Sequence, residues 1–167
     1  MKFICCILAG LIVFCSCKVQ QPSMVEKLRG MYRLERFYQL DTIHNQWIPS
    51  PAWEGYSGYI IYDGVGHMAI HLSPKGYKET DVSKPIDSLN VEELKARARY
   101  YQTNYTYFAN AKVADSFVIH SKLSATNPKE WGTESIRDLT LTNDTLYLTT
   151  REKISQARLR LKWIKLG

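Results

Sequence analysis

The chain has 167 residues, of which 45% are hydrophobic and 12% aromatic, and its formal net charge is +6 at pH 7. This length supports one domain with a sizeable core, and the apolar share excludes an intrinsically disordered chain. All four cysteines lie in the first 17 residues, which excludes disulfides and zinc–thiolate sites from the rest of the chain.

The N-terminus has the pattern of an export signal. Lys2 precedes an apolar run of twelve residues, Phe3–Phe14. This run is too short for a membrane-spanning helix of roughly 20 residues but suits the hydrophobic part of a signal peptide. For an exported protein, nucleic acid is a poor candidate partner, and the mild positive charge favours anionic surfaces or ligands.

Ser16-Cys17 follows this run and resembles the end of a bacterial lipoprotein signal, in which the cysteine after the cleavage point receives the lipid. The resemblance implies a signal peptide over residues 1–16, a lipid on Cys17 and a short tether over 17–26. The resemblance further implies a lipid-anchored protein of the bacterial cell envelope. Because Lys18 is not acidic, the general sorting rule for such lipoproteins favours the outer membrane. An ordinary signal peptide and an anchor helix that is never cut are the alternatives.

Residues 27–167 contain eight segments that alternate apolar and polar residues, as half-buried strands do. The clearest hairpin is Gly58–Leu72, in which β-branched and aromatic runs flank Asp63-Gly64, a dipeptide suited to a tight turn. We predict a loop over Asp41–Tyr56, whose two tryptophans should pack back on the body or close a cavity mouth. The predicted strands are Gly30–Leu40, the two halves of the hairpin, Tyr105–Val113, Phe117–Leu123, Thr133–Thr142, Thr145–Thr150 and Ala157–Trp163.

One short amphipathic helix is predicted over Val91–Gln102, with a capping box formed by Asn90 and Glu93. The face expected to pack on the body comprises Leu94, Ala98 and Tyr101. Eight antiparallel strands with alternating faces favour an all-β fold, an up-and-down barrel of the size that holds one small ligand.

Several short motifs follow one another in a characteristic order. They are Leu28–Leu34, Gly58–Tyr62, Gly66–Ala69, His120, Pro128, Trp131-Gly132, Arg137, Asp144–Leu148 and Leu161–Trp163. This order resembles the bacterial lipocalin-like domain family over about Lys27–Leu166, with a departure at Tyr32, where a tryptophan is common. The resemblance implies a lipocalin-like barrel with an internal apolar cavity, although a fold alone does not give a function.

The histidines do not form a metal site. His67 and His71 share a strand face, but four residues separate them by about 13 Å at ~3.3 Å per residue. Zinc–nitrogen bonds of ~2 Å cannot span that distance, so we expect surface or rim histidines, no metal and no other cofactor. The sequence also contains no Gly-x-Ser-x-Gly motif, catalytic cysteine or phosphate-binding glycine loop, so no catalytic residue is predicted.

Arg137 is the sharpest candidate for a functional residue. It shares parity with Leu139 and Leu141, so it should face the interior, where an unpaired charge is costly. It would pair with an internal acid such as Glu35, or with backbone near Trp131-Gly132. Alternatively, it would anchor the carboxylate or phosphate headgroup of a ligand in an apolar cavity.

Other polar and aromatic residues are candidates for lining the cavity. His120 is opposite Phe117 and Ile119 in parity, so plain alternation places it outside unless a bulge intervenes. Tyrosines would offer hydroxyls along the cavity, or they would be core aromatics with hydroxyls at the rim. The candidate ligand-binding residues are Arg137, His120, Tyr62, Tyr101, Tyr105, Tyr107 and Trp131.

The leading interpretation is an envelope lipoprotein, monomeric and membrane-attached through its lipid, that binds or carries a small hydrophobic or amphipathic ligand. One alternative is an isomerase or cyclase that uses the barrel cavity, which a polar pair facing the cavity within hydrogen-bond reach would favour. The other is a structural or protein-interaction module whose barrel is filled by its own side chains. The sequence favours binding over catalysis.

Overall fold

The computed structural model describes residues 22–79, 83–154 and 157–167. The predicted signal peptide 1–16 and lipid site Cys17 lie outside the described residues. The helices are α1 (Met24–Leu28) and α2 (Val91–Thr103). The strands are β1 (Gly30–Asp41), β2 (Gln46–Pro49), β3 (Ser57–Tyr62), β4 (His67–Ser73), β5 (Tyr105–Val113), β6 (Phe117–Ala125), β7 (Glu134–Thr142), β8 (Thr145–Thr150) and β9 (Leu159–Lys165).

Eight of these strands form a closed antiparallel up-and-down barrel, as the alternating sequence predicts. β1 and β3 to β9 pair in succession, and β9 pairs back with β1. The predicted hairpin is β3–β4. In its turn the Asp63 carboxylate accepts the Val65 N–H at 2.8 Å, and Gly64 has a φ of 81°, which favours glycine.

A further short strand, β2, lies inside the predicted loop Asp41–Tyr56, so the prediction of a loop is wrong for these four residues. β2 pairs with the last four residues of β1. Pro49 is tolerated because it is the final residue of this strand. Trp47 packs beneath the Arg160 guanidinium, which lies 4.1 Å from the centre of its ring.

A β-bulge in β1 changes which side chains face the interior. The pairing of β1 with β9 shifts between Leu34 and Arg36, so Glu35 is an extra residue. Simple alternation places Phe37 on the opposite face from Leu34, yet both side chains are buried in the core. The bulge therefore turns Phe37 inward.

Helix α1 closes one end of the barrel. Ser23 and Glu26 form its capping box, the Leu28 side chain is fully buried, and the Tyr32 hydroxyl donates to the Leu28 carbonyl at 3.0 Å. Two further side chains of this core, Val118 and Leu146, are likewise completely excluded from solvent. The half of the barrel next to α1 is thus packed with side chains.

Helix α2 forms as predicted, with its capping box, but it does not pack as predicted. None of its residues is buried, and its expected packing face is exposed, namely Leu94, Ala98 and Tyr101. Thr103 at its last position accepts a hydrogen bond from the Tyr56 hydroxyl at 3.5 Å, so the end of the helix meets the barrel. In the part of the chain that the structure describes, no helix is long and apolar enough to cross a membrane.

Candidate functional site

The half of the barrel away from α1 encloses a cavity of about 480 Å³ that is partly open to solvent. The strands on one side supply an apolar wall, which includes Phe37, Ile60, Leu148, Leu159, Leu161 and Trp163. β5, β6, β7 and two loops supply a polar wall, which includes Tyr105, Tyr107, His120, Lys122, Glu130, Arg137 and Glu152. An apolar chamber with a few converging polar groups is the usual form of a small-molecule site.

The loop after β2 returns to this cavity. Trp53 stacks on Phe37 with ring centres 4.8 Å apart, and it contacts Tyr56 at 4.9 Å. Both Trp53 and Tyr56 line the cavity. The expectation that this tryptophan-containing loop packs back on the body therefore holds at Trp53.

His120 lies on the inner face of β6, so the prediction that alternation places it outside is wrong. It is 1% exposed and Lys122 is buried on the same face, whereas Phe117 and Ile119 are only partly buried. The prediction assigns Phe117 and Ile119 to the core face because both are apolar. Phe117 instead lies 5.0 Å from the Arg151 guanidinium, which covers its ring on the outer surface.

Two tyrosines hold the His120 ring. The Tyr62 hydroxyl lies 2.9 Å from Nε2, and the Tyr107 hydroxyl lies 2.8 Å from Nδ1. Burial, with repulsion from the charges of Arg137 and Lys122, lowers the pKa of His120 to about 3. The ring is therefore neutral at pH 7, with one N–H and one lone pair, so one tyrosine donates to it and the other accepts from it.

Lys122 forms the next layer of the polar wall. Its Nζ lies 2.5 Å from Glu130 Oε2 and 5.3 Å from the centre of the Tyr107 ring. The same carboxylate oxygen accepts the Tyr105 hydroxyl at 2.7 Å. Burial raises the pKa of Glu130, but the hydrogen bonds from Lys122 and Tyr105 outweigh it and leave that pKa below its usual value. Glu130 is therefore a carboxylate that accepts from both side chains.

Arg137 lines the cavity, on the face of β7 that it shares with the buried Leu139. Its guanidinium donates to the Glu152 carboxylate and to the Ile136 carbonyl, the latter at 3.0 Å. The predicted partner Glu35 is wrong, because Glu35 follows the inward-facing Leu34 and lies outside, where Lys162 donates to it at 3.2 Å. The predicted contact with backbone near Trp131-Gly132 is likewise replaced by the backbone of Ile136.

The structure brings four of the seven candidate residues together at the polar wall, namely Tyr105, Tyr107, His120 and Arg137. Tyr62 contacts the His120 ring of this wall from the α1 side and does not line the cavity itself. The remaining two lie outside the cavity. Tyr101 is 53% exposed and lies on α2, none of whose residues is buried. Trp131 is 59% exposed, and its indole N–H donates to the Ala125 carbonyl at 2.7 Å.

Three residues of the polar wall were not among the candidates. Lys122 shares its parity with His120, so the correct choice of inner face on β6 identifies both. Glu130 ends a short 3-10 turn, Pro128–Glu130, and Glu152 follows β8 in a loop. Loop residues carry no periodic signal, so no pattern in the sequence identifies these two glutamates.

All three remaining histidines are engaged by neighbouring side chains. His44 Nδ1 lies 2.7 Å from the Asp41 carboxylate. His67 Nδ1 lies 2.6 Å from the Asp63 carboxylate, and His71 Nε2 lies 3.1 Å from the Asn104 side-chain amide. Within residues 22–79, 83–154 and 157–167, no group of three or more His, Cys, Asp or Glu side chains could hold a metal ion.

Comparison with known proteins identifies the family of this chain. The model of the lipocalin-like domain matches residues 29–164. No curated protein matches the chain. Among solved structures, an uncharacterized protein from Bacteroides eggerthii DSM 20697 is similar, with 9% identity, coverage of 83% of this chain and 99% of that chain, and a TM-score of 0.43. Because the family model spans nearly the whole barrel, the chain belongs to the lipocalin-like domain family.

Proposed function

We propose that the protein binds or carries a small, largely apolar ligand inside its barrel. The observation that carries this proposal is the uneven filling of the interior. The half next to α1 is packed, whereas the other half holds a cavity of about 480 Å³. This volume lies in the range of roughly 300–1,000 Å³ that small-molecule pockets have.

The two walls would contribute to binding in different ways. The apolar wall supplies affinity, at roughly 25 cal/mol per Å² of ligand surface removed from water. The polar wall supplies orientation. Its neutral histidine is hydrogen-bonded at both nitrogens, and its lysine and arginine are each paired with a glutamate. A ligand therefore meets fixed hydroxyls and balanced charges, which favour one binding pose over others.

Catalysis is the less favoured function. Tyr107 and His120 are a polar pair at the cavity within hydrogen-bond reach, which is the arrangement that an isomerase or cyclase needs. However, a general acid or base works best with a pKa near the operating pH. Burial lowers the pKa of His120 to about 3 and raises the pKa of Tyr107, so each group is a weak catalyst at pH 7.

The anchoring at the membrane is part of the same proposal. Ser16-Cys17 supports a lipid on Cys17, and Lys18 supports the outer membrane of a bacterial envelope. The cap of α1, Ser23, is six positions after Cys17, so the chain between the lipid and the folded domain could span at most about 20 Å. We propose a monomeric carrier held close to the membrane surface, where amphipathic ligands are available.

A neutral apolar fluorophore, N-phenyl-1-naphthylamine, tests the binding function. The probe is titrated into residues 18–167, which contain every described element, and we expect uptake of one molecule per chain. Leu148→Trp, which fills the cavity from β8, should reduce that uptake at least tenfold. Leu123→Trp, which adds the same ring on the outer surface, serves as the matched control. Equal uptake by all three proteins, or no uptake by the unchanged sequence, would contradict the proposal.

A further inference from the structure

Among the described residues, four charged side chains line the cavity, and they form two ion pairs that differ in exposure. Lys122 pairs with Glu130, and Arg137 pairs with Glu152. Each cation therefore already has an anion. An anionic ligand competes with the glutamate that already holds each cation, so the cost of displacing that glutamate decides where such a ligand would bind.

The Lys122–Glu130 pair is difficult to open. The Lys122 side chain is 7% exposed and that of Glu130 is 25% exposed. Glu130 also accepts the Tyr105 hydroxyl, and it sits on a turn whose Asn127 side chain accepts the Lys129 N–H at 3.2 Å. Displacing this carboxylate would leave both Lys122 and Tyr105 without their partner, which is costly for buried polar groups.

The Arg137–Glu152 pair is easier to open. The Arg137 side chain is 12% exposed, but that of Glu152 is 49% exposed. Glu152 can therefore turn into water, where its carboxylate is fully solvated. Arg137 would keep its bond to the Ile136 carbonyl, and its guanidinium has further N–H groups for a carboxylate in bidentate geometry.

We infer that Glu152 is a built-in competitor for Arg137, and that the ligand is a small amphipathic acid whose carboxylate displaces it. The inference rests on the proposed function and names the class of ligand for that same cavity. The ligand carboxylate pairs with Arg137 while Glu152 moves into solvent. The apolar body of the ligand then lies against the opposite wall, which Leu159, Leu161 and Trp163 supply.

A competitor has a consequence that an ordinary contact residue does not have. Removing the Glu152 charge should strengthen binding of an anionic ligand, because Arg137 is then available without displacement. Partly exposed ion pairs of this kind correspond to factors of about two to five in affinity. A neutral ligand of the same length should gain nothing, because it does not compete for Arg137.

Calorimetric titration of residues 18–167 with dodecanoate and with 1-dodecanol at pH 7.5 tests the inference. We expect Glu152→Gln to bind dodecanoate about two- to five-fold more tightly and to bind dodecanol unchanged. Arg137→Gln should lose at least about tenfold for dodecanoate only. Glu54→Gln is the matched control, because it removes one exposed negative charge beside Trp53 at the same end of the barrel, and it should change neither affinity.

The double variant Arg137→Gln/Glu152→Gln separates competition from simple repulsion between carboxylates. Under competition, the gain from Glu152→Gln disappears when Arg137 is absent, whereas a gain that persists contradicts the inference. Equal effects of Glu152→Gln on both probes, or no effect on either, would also overturn it while leaving the proposed function intact. Failure of both probes to bind the unchanged sequence would contradict the proposed function itself.

Discussion

The hydroxyl of Tyr107 lies 2.8 Å from Nδ1 of His120, between the hollow and the packed halves of the barrel. Both residues line the cavity, whereas Tyr62, on the other nitrogen of the ring, faces the α1 end. The three side chains form a hydrogen-bonded layer across the interior, between the core next to α1 and the cavity. Such a layer is favourable only when each polar atom has a partner. Substitutions or changes of pH that remove a partner should therefore lower the stability of the fold.

Replacing His120 with phenylalanine should destabilise the fold. The hydroxyls of Tyr62 and Tyr107 would lose their partner, and each unsatisfied buried hydroxyl costs about 1–3 kcal/mol. We expect the free energy of unfolding in urea to fall by about 2–4 kcal/mol. The triple variant Tyr62→Phe/Tyr107→Phe/His120→Phe removes all the polar atoms together and should be more stable than the single variant. A single variant as stable as the unchanged protein would contradict this role of the layer.

The lowered pKa of His120 predicts a loss of stability in mild acid. The unfolded chain binds a proton at the usual pKa of about 6.5, whereas the folded ring resists protonation down to about pH 3. The stabilisation from the neutral ring is therefore fully present above pH 6.5 and is lost as the pH falls towards 3. Between pH 7 and pH 5, urea unfolding should show a decrease of about 2 kcal/mol. The same decrease in His120→Phe would mean that other groups cause it.

The Lys122–Glu130 pair should respond asymmetrically to substitution. Glu130→Gln leaves a cation that is almost fully buried, and we expect the free energy of unfolding to fall by about 2–4 kcal/mol. Lys122→Met leaves a carboxylate that is nearer solvent and still accepts from Tyr105, so the loss should be about 1–2 kcal/mol. Thermal and urea unfolding of both variants measure the difference. The reverse order would show that the burial of Lys122 does not control the energetics of the pair.

Leu146 and Leu148 lie two residues apart on the inner face of β8, one in the packed half and one at the cavity. Leu146→Trp has no space to enter and should cost about 1–3 kcal/mol or more of stability. Leu148→Trp points into the cavity and should cost less than about 1 kcal/mol. Urea unfolding of the two variants therefore reports where the barrel is hollow. Equal costs would contradict the division into two halves.

The barrel could be predicted from the sequence because most of its strands alternate between apolar and polar residues. Leu159, Leu161 and Trp163 are all buried, as their parity predicts. The bulge at Glu35 could not be predicted, since an inserted residue leaves no compositional signal and yet reverses the direction of Phe37. A shift in register of this kind moves a side chain to the other face of the sheet without changing where the strand begins and ends.

The site was harder to predict than the fold, for two physical reasons. On β6 the more hydrophobic face, with Phe117 and Ile119, is the outer one, so a rule that apolar residues face inward fails there. The interior accepts His120 and Lys122 because tyrosines and a glutamate satisfy them. Some of these hydrogen-bond partners lie on loops, as Glu130 does. They come close to the buried polar side chains only when the barrel closes.

Native mass spectrometry of residues 18–167, purified from an expressing cell and then extracted with organic solvent, tests the central claim most directly. We predict a stoichiometric small molecule of largely apolar character on the unchanged sequence, and its loss in Leu148→Trp. A clean mass of the bare chain, with no shift against a library of hydrophobic metabolites, would contradict the claim that this barrel carries a ligand.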